Sequence, residues 1–498
     1  MPIQELIRKH GIAPDDQKTL RAAFDFAEKA HGNQKRASGE PYTQHCLETA
    51  NLLATWGMKD PMILSAAILH DVPENTDNTL DDIRKKFGDE ICFLVLGITK
   101  LGRIKLRNQK DPTYIETLKR MVLAMAEDIR VVLIKLADRL HNMRTISALP
   151  YEKQQRIARE TLEVYASLAA RLGMGEVRGE LEDLSFPIVM PKEYNRLVTQ
   201  VKSRIENAQH YIPRAKKEVI KILKQNDMKF LELKGRIKHM YSLYQKLQRP
   251  EYDGDLDKVF DINALRVITN SVENCYAILG ILHKYFRPIP GRIKDYIAVP
   301  KPNGYKSLHT NVFGPEGKYI EIQIRTQEMD AEAEFGIASH WEYSEFEKIK
   351  KGKKVSQKKL EWVRQLSEWQ KDEVGSPDEF FESLKIDFFK NRIFVFTPKG
   401  DVKDLPDGSS CVDFAFAVHT DLGINCGGGK INGKLSKLET ILKNGDVVEI
   451  VRSKTPKVSR DWLKFTASTS ARNKIKNYLK KNSPGLIERW TPEFMKRK

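Results

Sequence analysis

Three stretches of the chain gather side chains able to do chemistry. The first is ILHDVPENTD, Ile68 to Asp77, where His70 and Asp71 close an apolar run and Pro73, Glu74 and Asn75 follow. His45 in YTQH and Asp138 in LADRLHNMRT complete a set of two imidazoles and two carboxylates. Such a mixed nitrogen and oxygen set suits Mn²⁺, Fe²⁺ or Zn²⁺ and leaves coordination positions for water and phosphate. Asp138, Asn142 and Thr145 fall at i, i+4 and i+7, one face of a helix, while Leu133, Leu136 and Leu140 are left for the core. A polar face on an apolar helix predicts a pocket. An HD dipeptide alone is a weak signal, because a single His is usually structural; the spaced combination carries the reading.

The second stretch is YIEIQIRT. Ile320, Ile322 and Ile324 alternate with Glu321, Gln323 and Arg325, the period of a strand with one polar face. Asp261 sits inside the apolar segment VFDINALRV and is expected on a facing or neighbouring strand. Two carboxylates so placed can hold Mg²⁺ over a polyphosphate. Arg236, Lys238, Lys246, Arg266, Arg292, Lys294 and Arg325 can neutralise a triphosphate and the charge that develops in transfer. Tyr305, in PNGYKSLHT, offers a ring for a purine. No GxxxxGK[ST] is present, which excludes a P-loop. The third stretch is a set of short expected strands, RIFVFTP, CVDFAFAVH and NGDVVEIV, followed by the basic run SARNKIKNYLKK.

The elements that must position these residues change character along the chain. Up to about Asp183 apolar residues recur every three or four positions, a helical pattern that includes MVLAMAEDIRVVLIKLADRLHNM. Residues 191–225 read as a charged connecting helix. From about residue 226 alternating strands and Gly/Pro-rich loops indicate an α/β domain, and residues 346–380 return to helix behind the lysine run KIKKGKKVSQKK. The 498 residues suffice for several domains, and a net charge of +17 favours polyanionic partners such as nucleotides, RNA or ribosomes. Five scattered cysteines without a CxxC pair argue against a disulfide framework or zinc ribbon and fit a reducing cytosol. No apolar run approaches ~20 residues and the N-terminus lacks a signal-peptide core, so a cytoplasmic protein with no membrane partner is expected.

KRASGEPYTQH, ILHDV and KLADRLHNMRT resemble the hydrolase domain of the RelA/SpoT family of alarmone enzymes. In that family a Mn²⁺ ion serves removal of the 3′-pyrophosphate from (p)ppGpp. The resemblance implies His45, His70, Asp71 and Asp138 as ligands, and Arg36, Asn142 and Thr145 as nucleotide contacts. Hydrolytically active members carry Glu-Asp after the HD pair, where this chain has Glu74 and Asn75. Asparagine can neither accept a proton nor carry charge. Pro73 is expected to end the preceding helix early and re-aim Glu74, the remaining catalytic carboxylate. The expectation is that metal and nucleotide bind while hydrolysis is weakened. A fully bifunctional enzyme, in which Glu74 and the metal suffice, is the alternative.

GRIKDYIAVPKPNGYKSLHT followed by IEIQIRT resembles the synthetase domain of the same family, which moves pyrophosphate from ATP to the 3′-hydroxyl of GDP or GTP. This implies Asp261 and Glu321 on Mg²⁺, with Glu321 also a base for the ribose hydroxyl. It implies Arg236, Lys238 and Lys246 on ATP phosphates, Tyr305 stacked on guanine, and His309 near it. Arg292 to Asp295 match the RxKD form of bifunctional members. The third stretch resembles the family's β-grasp TGS module, where His419 would take part in contact with a tRNA acceptor end and the basic tail could neutralise RNA phosphates.

The expected architecture is therefore multidomain α and α+β. It comprises an all-α HD-type domain (1–183), a helical connector (184–230), a mixed α/β nucleotidyltransferase-like synthetase domain (231–345), a basic helical linker (346–385), a TGS module (386–453) and a helical tail (454–498). The zinc-finger-like and ACT domains that follow in long relatives are not expected within these residues, whether the chain is a short form or part of a longer one. Two opposed sites in one chain predict coupling through the connector. A reading of another class is a tRNA- or ribosome-binding regulator that uses both domains only as nucleotide sensors; the intact synthetase carboxylates weigh against it.

Overall fold

The structure, a computed structural model, describes residues 2–102, 128–259, 261–301, 304–340, 392–443 and 445–482. The expected helix at 346–380 lies outside them. The chain divides into two compact units, Met1–Glu373 and Val374–Lys498. No helix of the described residues is long and apolar enough to cross a membrane.

The first unit begins with a helical bundle built around Pro61–Leu69, in which every residue from Ile63 to Leu69 is buried. Pro61 fits the first turn, and the Asp60 carboxylate caps it by accepting from the amides of Met62 and Ile63. That helix already ends at Leu69, before Pro73. A separate one-turn helix, Val72–Asn75, follows with Pro73 in its first turn, where a missing N–H costs nothing. Pro73 thus helps start an element, contrary to the expectation that it would end one. The Ile129–Arg144 helix carries Asp138. Asp128 is extended and caps it by accepting from the Arg130 amide; the preceding MVLAMAE lies outside the described residues. Leu133, Leu136 and Leu140 are fully buried, as their spacing requires.

Two helices, Gly175–Val189 and the 35-residue Pro191–Gln225, lead into a five-stranded sheet of order β1-β2-β5-β4-β3. Its strands are β1 (Glu232–Ile237), β2 (Asn263–Thr269), β3 (Lys294–Asp295), β4 (Leu308–Phe313) and β5 (Tyr319–Thr326). β2 and β5 run parallel and the other pairs antiparallel. Ile320, Ile322 and Ile324 face a core with Leu265 and Val267, covered by Val219 and Leu223 of the long helix and by Ile278 and Leu282 of Val272–Tyr285. The opposite face carries Glu321, Gln323 and Arg325. Asp261 lies two residues before β2 rather than within a strand. It is anchored there by its neighbours Val259 and Ile262, which pack with Phe186, Leu243 and Leu247.

The sheet meets the bundle at close backbone approaches. Gly336, at φ +56°, lies so near the backbone of Leu172 and Gly173 that a Cβ would overlap both. Gly336→Ala is therefore expected to cost ~2 kcal/mol or more, from left-handed strain plus the displaced backbone. Thermal melting of the variant checks this; an unchanged midpoint would contradict it.

In the second unit, β6 (Arg392–Phe396) pairs antiparallel with β7 (Val402–Pro406), and β8 (Cys426–Ile431) lies between β9 (Lys434–Ser436) and β10 (Val448–Arg452). CVDFAFAV, expected as a strand, is instead the Cys411–Val418 helix. Ser410 and Asp413 form a capping box at its start. The buried Asp413 also accepts from the amides of Ala467 and Ser468, tying the following segment to the module. His419 sits between two helices, where its Nδ1 accepts from the Asp421 amide and caps Thr420–Ile424. The basic run forms the Thr469–Asn482 helix, packed through Ala471 and Ile475 against Val412 and Phe416.

Candidate active sites

The helical bundle brings the four expected ligands together. His45 comes from Tyr42–Thr55, His70 and Asp71 from the turn after Pro61–Leu69, and Asp138 from Ile129–Arg144. Atoms of His45, His70 and Asp138 lie within 4.8 Å of one another, all buried. Asp71 reaches His45 Nε2 at 3.6 Å and His70 Nε2 at 3.3 Å. His70 Nδ1 lies 2.7 Å from the Ala67 carbonyl, which directs Nε2 into the cluster; that buried nitrogen has no hydrogen-bond partner. An orphaned imidazole nitrogen beside two carboxylates is the donor set a divalent ion requires. Burial opposes charge on His70, but Asp71 and Asp138 push it up to about 9. Burial likewise opposes charge on Asp138, while Lys135, His45 and His70 hold it well below the usual carboxylate range. The site therefore concentrates negative potential in which a metal cation would replace a proton.

The residues expected to contact the nucleotide adjoin this cluster. Asn142 Nδ2 donates to Asp138 Oδ1 at 2.5 Å, and Arg36 donates to Asn142 Oδ1. A cavity of about 350 Å³ is lined by Arg36, Asp138, Asn142 and Thr145, as the sequence predicts. Sequence reasoning missed its cationic rim of Lys135, Arg139, Lys153 and Arg156, and also His141, which links Arg36 to His45 Nδ1. His141 lies one turn beyond Asp138, and that spacing was the available signal. Burial, with His45 and Arg36, lowers its pKa to about 3 and keeps it neutral. Glu74 and Asn75 are exposed. Partial desolvation raises the Glu74 carboxyl, with Lys135 pulling against it. The Asn75 amide donates to the Asp71 carbonyl at 3.3 Å, and Gln34 holds the Asn75 carbonyl at 2.9 Å.

The polar face of the sheet forms a second cavity of about 370 Å³. Arg236, Lys238, Asp261, Arg266, Lys294, Tyr305, His309, Glu321 and Arg325 line it, all expected from the sequence. Lys238 and Lys246 both place Nζ 2.8 Å from Asp261 Oδ2. Burial opposes charge on Asp261, yet the two lysines draw it down to about 2. Its Oδ1 is buried without a hydrogen-bond partner, a carboxylate oxygen left for a cation. Glu321 Oε1 sits 2.7 Å from His309 Nδ1, and His309 Nε2 lies 2.6 Å from the Tyr305 hydroxyl. Desolvation opposes the Glu321 charge, but His309 lowers its pKa, so the carboxylate is ionised and able to accept a proton.

Three expected cations stand differently from their assigned role. Arg292 is exposed, two residues before β3, and lies outside the cavity lining. Arg266 is bound by Asp330 and Glu334, and Arg325 by Asp330, all on the sheet side of Gln327–Phe335. These acids, Lys301 and Tyr296 were not foreseen. Lys301 lies 4.6 Å from the Tyr296 ring centre and 5.0 Å from that of Tyr305; burial draws its pKa down to about 8. Less expected still, Glu176, Arg178 and Glu182 of Gly175–Val189 line the same cavity.

Residues 23–175 match the HD domain family, residues 235–348 the region found in RelA / SpoT proteins, and residues 393–452 the TGS domain. The chain is 45% identical over 500 residues to "GTP pyrophosphokinase" of Streptomyces antibioticus, covering 96% of this chain and 58% of that protein. It is 46% identical over 476 residues to "Bifunctional (p)ppGpp synthase/hydrolase RelA" of Mycobacterium tuberculosis, covering 94% and 63%. It is 44% identical over 474 residues to "Guanosine-3′,5′-bis(diphosphate) 3′-pyrophosphohydrolase" of Aquifex aeolicus, covering 94% and 65%. The chain thus spans about three-fifths of the length of the curated relatives it matches.

Proposed function

The chain belongs to the RelA/SpoT family, and on that premise we propose that its sheet-side cavity makes (p)ppGpp by moving pyrophosphate from ATP to the 3′-hydroxyl of GDP or GTP. The observation that carries this reading is the chain of contacts Tyr305–His309–Glu321, lining one cavity with Asp261 and Lys238, while Lys246 reaches the same Asp261 oxygen. Glu321 accepts the ribose proton as the 3′-oxygen attacks the β-phosphorus of ATP and AMP leaves. Arg236, Lys238 and Lys246 bind the ATP phosphates and meet the charge that builds on them in transfer. Tyr305 offers its ring to guanine, and His309 orients Glu321. A Mg²⁺ ion held by Asp261 and Glu321 would polarise the transferred group. The experiment is incubation with labelled ATP and GDP plus Mg²⁺, followed by chromatography. A labelled alarmone is expected; its absence would favour the nucleotide-sensor reading.

In the helical bundle, His45, His70, Asp71 and Asp138 would hold Mn²⁺, and Arg36, Asn142 and Thr145 would hold (p)ppGpp. Glu74 is the remaining carboxylate able to take a proton from water, and with Asn75 beside it hydrolysis is slow. Removing Asp138 leaves two histidines facing Asp71 alone. Asp138→Ala is expected to weaken Mn²⁺ binding at least ~10–100-fold, the range already seen for changes in outer-shell partners. Titration with Mn²⁺ measures it, and retained affinity would remove Asp138 from the ligand set. The TGS module and the basic Thr469–Asn482 helix are the surfaces we assign to tRNA or the ribosome, in a cytoplasmic setting.

A further inference from the structure

We propose that Asp183 is a positioning residue for the sheet-side cavity, acting through His239 and the Tyr241 amide to set Lys238 and Lys246 against Asp261. The proposal rests on the reading of that cavity as an ATP site. Asp183 belongs to Gly175–Val189, a helix that continues the bundle rather than the sheet. Its Oδ2 lies 2.8 Å from His239 Nδ1, and its Oδ1 accepts from the Tyr241 N–H at 3.0 Å. One carboxylate therefore fixes the residue that follows Lys238 and also caps the Met240–Leu247 helix, which presents Lys246. Both lysines then converge on a single oxygen of Asp261.

Three more contacts from the same helix act on the same segment. Glu176 Oε2 approaches His239 Nε2 at 3.8 Å, so the imidazole lies between two carboxylates. Gly179 lies against the His239 ring so closely that a Cβ would overlap it. Phe186 packs with Leu243 and Leu247 of the lysine-bearing helix and with Val259 and Ile262, which flank Asp261. The helix thus grips both the lysine-bearing element and the segment of their carboxylate partner. Its stance is also set from the bundle, since Glu180 receives two hydrogen bonds from Arg144, at the end of the helix that carries Asp138.

The test uses the full chain with Mg²⁺ and a non-hydrolysable ATP analogue, read by equilibrium titration alongside steady-state kinetics. Asp183→Ala is expected to weaken the analogue and raise KM for ATP ~10-fold or more, the scale of losing hydrogen bonds to a charged group. KM for GDP and kcat at saturating ATP should stay within about threefold. Asp183→Asn, whose amide oxygen still accepts from Tyr241, should restore most of the ATP affinity. Gly179→Ala, which pushes the helix off His239, should reproduce the ATP defect. Unchanged ATP affinity in Asp183→Ala, or equal losses for ATP and GDP, would overturn the proposal. A wild-type chain that binds the analogue but makes no alarmone would refute the reaction and leave the positioning role standing. One that binds no analogue would end both.

Discussion

Glu321→Gln is expected to lower pyrophosphate transfer by ~10²–10⁴ while the fold stays intact, the range that removal of a positioned general base produces. Glu321 projects from the centre of the sheet: its register partners are Ala264 on β2 and Asn311 on β4. Backbone hydrogen bonds on both sides therefore hold the position whatever the side chain. Glutamine keeps the length and can still hydrogen-bond His309, so packing changes little. It cannot take up the 3′-hydroxyl proton, and it offers a cation a neutral oxygen in place of a charged one. The loss should appear in kcat with substrate affinities largely kept, because Arg236, Lys238 and Lys246, the proposed phosphate contacts, are untouched. Initial rates of labelled product at saturating ATP and GDP measure it, beside a melting curve. An undiminished rate would remove Glu321 from the reaction and, with it, the orienting role of His309.

The parts of both sites that were legible in the sequence are those fixed by local periodicity. The alternation of YIEIQIRT places Glu321 opposite Ile320 and Ile322 on any pleated strand. The i, i+4, i+7 spacing places Asp138, Asn142 and Thr145 together on any helix. What could not be read is pairing set by the tertiary fold. Arg266 and Arg325 look like free cations in the sequence, yet Asp330 and Glu334 occupy them, because the Gln327–Phe335 helix turns back beside the strands. The Gly175–Val189 helix gives no hint in its residues that Glu176 and Glu182 will line a cavity of the other domain.

CVDFAFAV misled for another reason. Valine and phenylalanine at alternate positions satisfy the period of a strand, but Val412, Phe414, Ala415 and Phe416 are all buried. Burial on every side removes the contrast between faces that periodicity depends on. The capping box at Ser410 and Asp413 was the signal that would have decided for helix. Asp261 was misplaced by the converse error. Its segment is apolar because Val259 and Ile262 anchor a loop, not because a strand passes through it.

Asn75→Asp is expected to raise Mn²⁺-dependent hydrolysis of (p)ppGpp, by up to ~10²–10⁴ if the restored carboxylate serves as the missing base. The backbone at this position is already fixed: the Asn75 N–H donates to the Asp71 carbonyl at 3.1 Å, and Gln34 holds the Asn75 carbonyl. The substitution therefore changes the group presented beside Asp71 without moving the chain. It also removes a weak contact, since the Asn75 amide donates to the Asp71 carbonyl and a carboxylate cannot. A carboxylate freed from that carbonyl, and repelled by it, would be drawn toward a divalent cation held by His45, His70, Asp71 and Asp138. The cost is small. An exposed negative charge at a helix C-terminus loses ~0.3–1 kcal/mol, and this helix is a single turn. The pH profile adds a check on mechanism. If Glu74 is the only proton acceptor in the native chain, its raised pKa puts the acidic limb of the native rate above that of an ordinary glutamate, and activity falls as pH drops through that value. A second carboxylate at position 75 should change that limb as well as the maximal rate. Parallel hydrolysis assays of the native chain and the variant across pH decide the matter. A native rate equal to that of Asn75→Asp would show that Glu74 and the metal suffice, and the chain would then be bifunctional without repair.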